Sequence, residues 1–303
     1  MYLKISNEES LVNWMKLTRV KYLGPKKILT LFSIFKSMDN VISASKEDLI
    51  NSRLFNERMI ENWEKLKNAS SDNFFNVINE CKENKIGIIT IFNEIYPQQL
   101  RNVSYPPLTL FLSGDTNLLK NEKKFAVAGS RESSPEGLKF AYDCSKKMAD
   151  NQFVIVSGGA KGIDTSAHRG ALDSSFDKTI SVLGSGFFKM YPEENIPLFN
   201  EIKERGGLLI SEYLPKFFGS RISYLQRNRI ISGISKGLLI CSSNKINGGS
   251  ATQTKIAYSQ KIPIFCPSLD INITPNEGIK NAIKNYNIKQ ITDAKEIIEF
   301  FKK

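Results

Sequence analysis

Histidine is almost missing from this chain: one, His168, in 303 residues, which excludes any multi-histidine metal centre. Cysteine is sparse and scattered, at Cys81, Cys144, Cys241 and Cys266 with no Cys-x-x-Cys pair. That excludes a zinc ribbon and a disulfide framework, and no metal or cofactor is expected. No apolar run approaches the ~20 residues of a membrane span, and the polar start Met1-Tyr-Leu-Lys-Ile-Ser6 is no signal peptide. A Gly-x-x-x-x-Gly-Lys-[Ser/Thr] loop is absent, which excludes a P-loop NTPase, and the run from Gly129 to Ser134 lacks the Gly-x-Gly-x-x-Gly dinucleotide fingerprint. Gly-x-Ser-x-Gly is absent too, so Ser130 and Ser157 have no nucleophile-elbow setting. What the chain does have is a basic surplus, 42 Lys+Arg against 31 Asp+Glu, a formal charge of +11. Hydrophobic content of 41% and charged content of 24% are those of a globular protein, not a disordered one. A soluble, cytoplasmic protein of a reducing compartment is expected, and its charge is permissive for nucleic acid without establishing it.

Two patterns divide the chain. Residues 1–82 read as helices. Leu11, Trp14, Met15 and Leu17 form one stripe, and Ile28, Leu31, Phe32 and Phe35 a second. A third helix is expected over 41–49 with Ser45 and Asp48 as a cap, and Met59, Trp63, Leu66, Phe74 and Ile78 continue the spacing. These aromatics read as the core of a small all-helical domain of the SAM or helix-hairpin-helix kind. The break Leu23-Gly24-Pro25-Lys26-Lys27 suits a plain helix connector, or a helix-hairpin-helix turn offering N–H groups and lysines to a DNA phosphate. From residue 83 the period changes. Short apolar runs at 86–91, 108–112, 125–128, 153–156, 179–183, 208–210, 237–241 and 262–266 alternate, after the second, with helical stretches. Such alternation predicts an α/β domain over 83–303, a doubly wound, mostly parallel Rossmann-like sheet covered on both faces.

Ligands of such a sheet bind beyond the carboxyl ends of its strands. The residues standing there are Gly129-Ser130-Arg131, Ser157-Gly158-Gly159-Ala160-Lys161-Gly162-Ile163-Asp164, Gly184-Ser185-Gly186, Ser211-Glu212-Tyr213 and Asn247-Gly248-Gly249-Ser250. One glycine loop is an ordinary tight turn; four on one edge, with Arg131 and Lys161 among them, suit phosphate. Further cations follow at Arg169, Lys189, Arg221, Arg227 and Arg229, interleaved with Phe187, Phe188, Tyr191, Tyr213, Phe217, Phe218 and Tyr224. Cations for a backbone and rings for stacked bases are what single-stranded nucleic acid requires, although at least half of these rings are expected in the core. His168 reads as a structural hydrogen-bonder, and Glu193-Glu194 as a solvated helix start.

These residues resemble a known family. Val127-Ala-Gly-Ser-Arg131, then Ile155-Val-Ser-Gly-Gly-Ala-Lys-Gly-Ile-Asp164 with Ala167-His168, is similar to the core of the DNA-processing protein A (DprA/Smf) family. So are Tyr191-Pro-Glu-Glu-Asn195, Leu208-Leu-Ile-Ser-Glu-Tyr213 and Arg227-Asn228-Arg229-Ile-Ile-Ser-Gly-Ile-Ser235, preceded by Tyr96-Pro97 and Pro106-Pro107. The resemblance implies a non-catalytic, homodimeric protein that binds and protects single-stranded DNA and loads a RecA-type recombinase in natural transformation. It implies a nucleic-acid site of Gly129, Ser130, Arg131, Ser157, Gly158, Gly159, Lys161, Gly162, Arg227, Asn228, Arg229, Gly248, Gly249 and Ser250, with Arg131 and Lys161 as the principal cations. The last third departs from the family pattern, at Tyr224-Leu225-Gln226, Gly248-Gly-Ser-Ala-Thr-Gln-Thr254 and Cys266-Pro-Ser268. A winged-helix C-terminal domain is not expected. Two alternatives stand beside this reading. One is a LOG-like nucleotide phosphoribohydrolase, which needs a Gly-Gly-x-Gly-Thr loop followed closely by a Glu; here Ala251 replaces the second loop glycine and Gln253 to Tyr258 contain no carboxylate. The other is a nucleotide-sensing or phage-defence relative of the same family.

Overall fold

The computed structural model describes residues 5, 7–243 and 248–302; Asn247 lies outside the described residues. The chain forms two compact units, Met1–Tyr96 with Ser104–Leu110, and Pro97–Val103 with Phe111–Lys303.

The first unit is built from α1 (Glu8–Leu17), α2 (Pro25–Phe35), α3 (Met38–Ser43), α4 (Lys46–Asn51), α5 (Glu57–Asn68), α6 (Asp72–Glu83) and β1 (Gly87–Thr90). Local chemistry sets the helix starts. Asn7 and Asn56 accept from the N–H groups of Ser10 and Met59, and Pro25 occupies the first position of α2, where its missing N–H costs nothing. The single helix expected over 41–49 is broken in two. Ser45 and Asp48 exchange side-chain-to-backbone hydrogen bonds in a full capping box, and this starts α4 afresh after α3 has ended. Trp14, Trp63 and Phe32 are fully or almost fully buried, with the Trp14 ring 5.4 Å from Phe32 and from Phe92. The Trp14 indole N–H donates to the Thr109 hydroxyl at 2.8 Å, so its one polar atom is satisfied in the core.

The second unit adds α7 (Gln98–Arg101), β2 (Thr109–Gly114, its start in the first unit), β3 (Lys124–Ala128), α8 (Pro135–Asp150), β4 (Val154–Ser157), α9 (Ile163–Leu172) and β5 (Thr179–Leu183). There follow α10 (Ile196–Glu204), β6 (Leu208–Ser211), α11 (Arg221–Gln226), α12 (Asn228–Gly233), β7 (Leu238–Ile240), α13 (Gly249–Ser259), β8 (Ile264–Pro267), α14 (Glu277–Asn285), β9 (Ile288–Ile291) and α15 (Ala294–Phe300). The strands lie in the order β1-β2-β6-β5-β4-β3-β7-β8-β9. From β6 to β9 every pairing is parallel, while β2 runs antiparallel to β6 with Phe111 opposite Ser211. The chain steps outward one way from β3 through β4, β5 and β6, then returns to β7 on the other side of β3. Right-handed crossovers in opposite directions place their helices on opposite faces. The switch point therefore falls between β3 and β7. Below it sits a core of Phe125, Val127, Ile155, Leu239 and Phe265 under α8, α9 and α15. Burial of such side chains contributes roughly 1.5–3 kcal/mol each.

All four cysteines are free and buried. Among the described residues, no helix is long and apolar enough to cross a membrane, and no cluster of His, Cys, Asp and Glu suits a metal ion.

Candidate nucleic-acid interface

At the switch point opens a cleft of about 810 Å³. Three of the predicted segments meet there. Gly129, Ser130 and Arg131 leave β3, Arg227 and Asn228 form the junction of α11 and α12, and Gly248, Gly249 and Ser250 open α13. Lys189, Arg221, Tyr191, Phe218 and Tyr224 complete the walls. Gly158 and Lys161 line a narrower chamber next to it, which shares Arg131, Tyr191, Tyr224 and Arg227 with the cleft.

Four predicted residues line neither space. The Ser157 hydroxyl is buried and donates to the Val127 carbonyl at 2.7 Å. Gly159 accepts at its carbonyl from the Asn195 amide at 2.9 Å. Gly162 begins α9 at φ +76°, a conformation open to glycine and not to other residues at ψ −123°. The Arg229 guanidinium lies 2.5 Å from the Glu212 carboxylate. Arg169, another expected rim cation, is ion-paired with Glu201 on α10.

The two principal cations differ. Arg131 is exposed and makes no hydrogen bond or ion pair among the described residues. Lys161 is paired with Glu194, both side chains half exposed, so this glutamate is more than a solvated helix start. An exposed pair is worth about 0–1 kcal/mol. Glu194→Gln is therefore expected to free Lys161 and tighten binding of an oligonucleotide about twofold at low salt, measured by anisotropy, with the gain vanishing at high salt.

Arg227 forms the floor. Its side chain is 7% exposed, its Nη2 is 4.0 Å from the Asp164 carboxylate, and neither Nε nor Nη1 has a hydrogen-bond partner among the described residues. Asp164, in the first turn of α9, is itself held by the N–H groups of Gly158 and Ala160 at 3.2 and 3.3 Å. Burial pushes its carboxyl up, against the pull of Arg227 and those two donors. The guanidinium lies directly on Gly158, where a Cβ would stand 1.3 Å from Nη1. Only a residue without a side chain leaves room for it. Asp164 was visible in the sequence only as part of the Gly-Ile-Asp run before a helix expected over 165–172; the helix starts at Ile163, so Asp164 lies in its first turn and holds the 158–160 loop.

Next to Asn228, whose amide lies 3.5 Å from the Gly249 carbonyl, α13 begins on Gly248 with no side-chain cap, and the space around Gly249 is open. Its first N–H groups and the positive end of its dipole thus face the cleft. Phe218, which lines the cleft, is 69% exposed with Lys189 Nζ 4.5 Å from its centroid; Tyr213 and Phe217, stacked at 4.5 Å, line neither space. Phe187 is buried instead. His168 is buried and lines neither the cleft nor the chamber; its Nδ1 is 2.8 Å from the Thr179 hydroxyl, which itself donates to the Ile155 carbonyl. Nδ1 therefore carries the proton, and the imidazole is a structural donor.

A family model described as DNA recombination-mediator protein A matches residues 87–302. The chain belongs to the DNA recombination-mediator protein A family. The match runs through the last third, where the motifs depart. DNA processing protein DprA of Bacillus subtilis (strain 168) is 32% identical over 223 residues, 74% of each chain. The X-ray structure of DNA processing protein A from Streptococcus pneumoniae superposes with a TM-score of 0.78 at 28% identity, covering 98% of both chains. DNA processing protein A of Helicobacter pylori, solved for its single-stranded DNA binding mode, gives 0.64 at 27% identity over 72% of this chain and 95% of that one. The chain is thus a member of a DNA recombination family with the expected Rossmann-like fold.

Proposed function

We propose that this chain binds single-stranded DNA in the switch-point cleft without catalysis. The observation that carries the reading is convergence: Arg131, Lys189, Arg221 and Arg227 meet an uncapped helix N-terminus in one cleft with exposed rings at its mouth. Cations and N–H groups take the backbone, and Phe218 and Tyr191 offer faces to splayed bases. The relative from Helicobacter pylori with a described single-stranded binding mode supports the same assignment. The run from Gln253 to Tyr258 carries no carboxylate where a LOG-type enzyme has a Glu after its loop, which supports a non-hydrolytic role. Gln253 is buried against Asn228, donating to its carbonyl at 3.2 Å. Gly129, Ser130, Arg131, Gly158, Lys161, Arg227, Asn228, Gly248, Gly249 and Ser250 carry the contact, and Ser157, Gly159, Gly162 and Arg229 hold the loops that present it. Residues 1–82 act as a helical domain and residues 83–303 as the DNA-binding domain. In the cytoplasm, the bound strand passes from a homodimer of this chain to a RecA-type recombinase in natural transformation.

The test is a titration of oligo-dT by anisotropy at two salt concentrations. Arg131→Ala and Lys161→Ala are each expected to weaken binding about three- to tenfold and to flatten the salt dependence by about one phosphate contact. Duplex of equal length is expected to bind more weakly, because the cleft presents no helix to a major groove. A double variant with wild-type affinity and an unchanged salt slope overturns the reading.

A further inference from the structure

The turn between α1 and α2 is a basic surface of the first unit. From Ser10 to Met38 the sequence holds six cations, Lys16, Arg19, Lys21, Lys26, Lys27 and Lys36, and no acid. Half of them are engaged within the fold. Lys16 is buried and donates to the Lys67 and Ala69 carbonyls, Arg19 lies over the Phe74 ring at 4.5 Å, and Lys36 donates to the Ser33 carbonyl. Lys21, Lys26 and Lys27 are exposed and make no ion pair among the described residues. The Lys21 N–H donates to the Asn62 side chain at 2.9 Å, and Lys27 Nζ stands 3.9 Å from the Met59 sulfur. Both anchors are on α5, one turn apart, so the connector is held at its two ends. The acids of α5 are Glu57, Glu61 and Glu64. At about 100° per residue they fall on the side of that helix away from Met59 and Asn62, and leave the three amines uncompensated.

Two tyrosines stand at the same turn. Tyr22 is 80% exposed, and its backbone sits at φ +67°, a left-handed conformation that disfavours a residue carrying a ring. A ring held in water at a strained position brings the fold no burial in return. Tyr105 is 58% exposed and lies against Gly24, where an added Cβ would meet its Cε2 at 3.7 Å. Amines without counter-charges beside solvent-held ring faces match a single strand, whose phosphates take the amines and whose unstacked bases take the rings. An acidic peptide would use the amines and leave the rings idle, and a duplex keeps its bases stacked inside.

We propose that residues 21–27, with Tyr105, form a second contact for single-stranded DNA, carried by the first unit. It goes beyond the cleft of the second unit and shares no residue with it. Lys21, Lys26 and Lys27 take phosphates, and Tyr22 and Tyr105 take bases, so Leu23-Gly24-Pro25-Lys26-Lys27 is more than a connector.

The experiment titrates oligo-dT by anisotropy at two salt concentrations with four forms of the full chain. These are wild type, the cleft variant Arg131→Ala/Lys161→Ala, the turn variant Lys21→Gln/Lys26→Gln/Lys27→Gln, and the two combined. The turn variant is expected to bind about three- to tenfold more weakly than wild type, with the salt slope reduced by about two phosphate contacts. The cleft variant is expected to keep residual binding that the combined variant loses. Tyr22→Gly separates the ring from the fold. Glycine suits φ +67°, so the thermal midpoint is expected to stay close to wild type, while affinity falls about fivefold with the salt slope unchanged. Wild-type affinity and slope in the turn variant, with no effect of Tyr22→Gly, overturn the second contact and leave the cleft standing. Wild-type binding by the cleft variant, lost in the turn variant, overturns the cleft and keeps the turn. Residual binding by the cleft variant that duplex DNA or poly-glutamate displaces as well as oligo-dT does, indifferent to Tyr22→Gly, reduces the turn to charge alone and overturns the strand assignment.

Discussion

Gly162→Ala is expected to destabilise the second unit by about 3 kcal/mol and to weaken oligonucleotide binding about tenfold. Two independent obstacles meet at this residue. Its backbone stands at φ +76° and ψ −123°, a region essentially reserved for glycine. A Cβ there would also lie 2.3 Å from the Arg131 carbonyl oxygen and 2.6 Å from that of Ser130, both backbone atoms with no rotamer to move away. The loop that carries Arg131 must shift, so stability and affinity fall together. Thermal unfolding should show a midpoint lowered by roughly 6–12 °C for a unit of this size. Gly249→Ala is the stability control, since nothing stands within 4 Å of its added carbon and it is expected to leave the midpoint unchanged. An unshifted midpoint in Gly162→Ala would contradict the account of this turn.

Acidification is expected to remove about 2 kcal/mol of stability between pH 7 and pH 5 through one residue. Burial, with Arg227 and Arg169 adding repulsion, holds the His168 imidazole down to about 3, against 6.5 for an unperturbed histidine. The unfolded chain takes up the proton near 6.5 and the folded chain only near 3. Between those values stability rises with pH, and it is lost as the pH falls. His168 is the only histidine, so no other imidazole contributes in this window. Urea unfolding at both pH values, on wild type and His168→Gln, isolates the effect. Asp164, whose carboxyl burial pushes up, acts in the opposite sense and is present in both chains, so the difference between their slopes belongs to the imidazole. Identical slopes would mean that His168 is not held neutral by its surroundings.

How far the sequence carried these results depends on the range of the forces involved. The βα units were legible because short apolar strands and 3.6-residue stripes are local patterns, and each glycine loop stands right after its strand. The cleft was legible for the same reason, since topology alone gathers Gly129, Arg227 and Gly248 at one switch point. Charge pairing was not. Nothing local in the sequence links Lys161 to Glu194, Arg229 to Glu212, or Arg169 to Glu201, and these three contacts sort the rim cations into free and engaged. At the C-terminal end, β9 went unseen because Ile288-Lys-Gln-Ile291 is an edge strand with two exposed polar residues, too short and mixed to show a period. The antiparallel β2 was hidden too, since strand direction is set by partners and not by composition. The capping box at Ser45 had the opposite outcome: its chemistry was plain, but its meaning as a break between α3 and α4 required knowing where each helix stops.

The four buried thiols have a consequence for observing the molecule open. Burial raises Cys81 to about 11 and Cys144 and Cys266 to about 12, and pushes Cys241 well up. In neutral solution the closed fold therefore presents almost no thiolate to an alkylating reagent. Labelling proceeds through fluctuations that bring a sulfur to water, and its rate is a clock for those excursions. Cys81 keeps time for the first unit and the other three for the second, so the order in which they are modified tells which half of the chain breathes first.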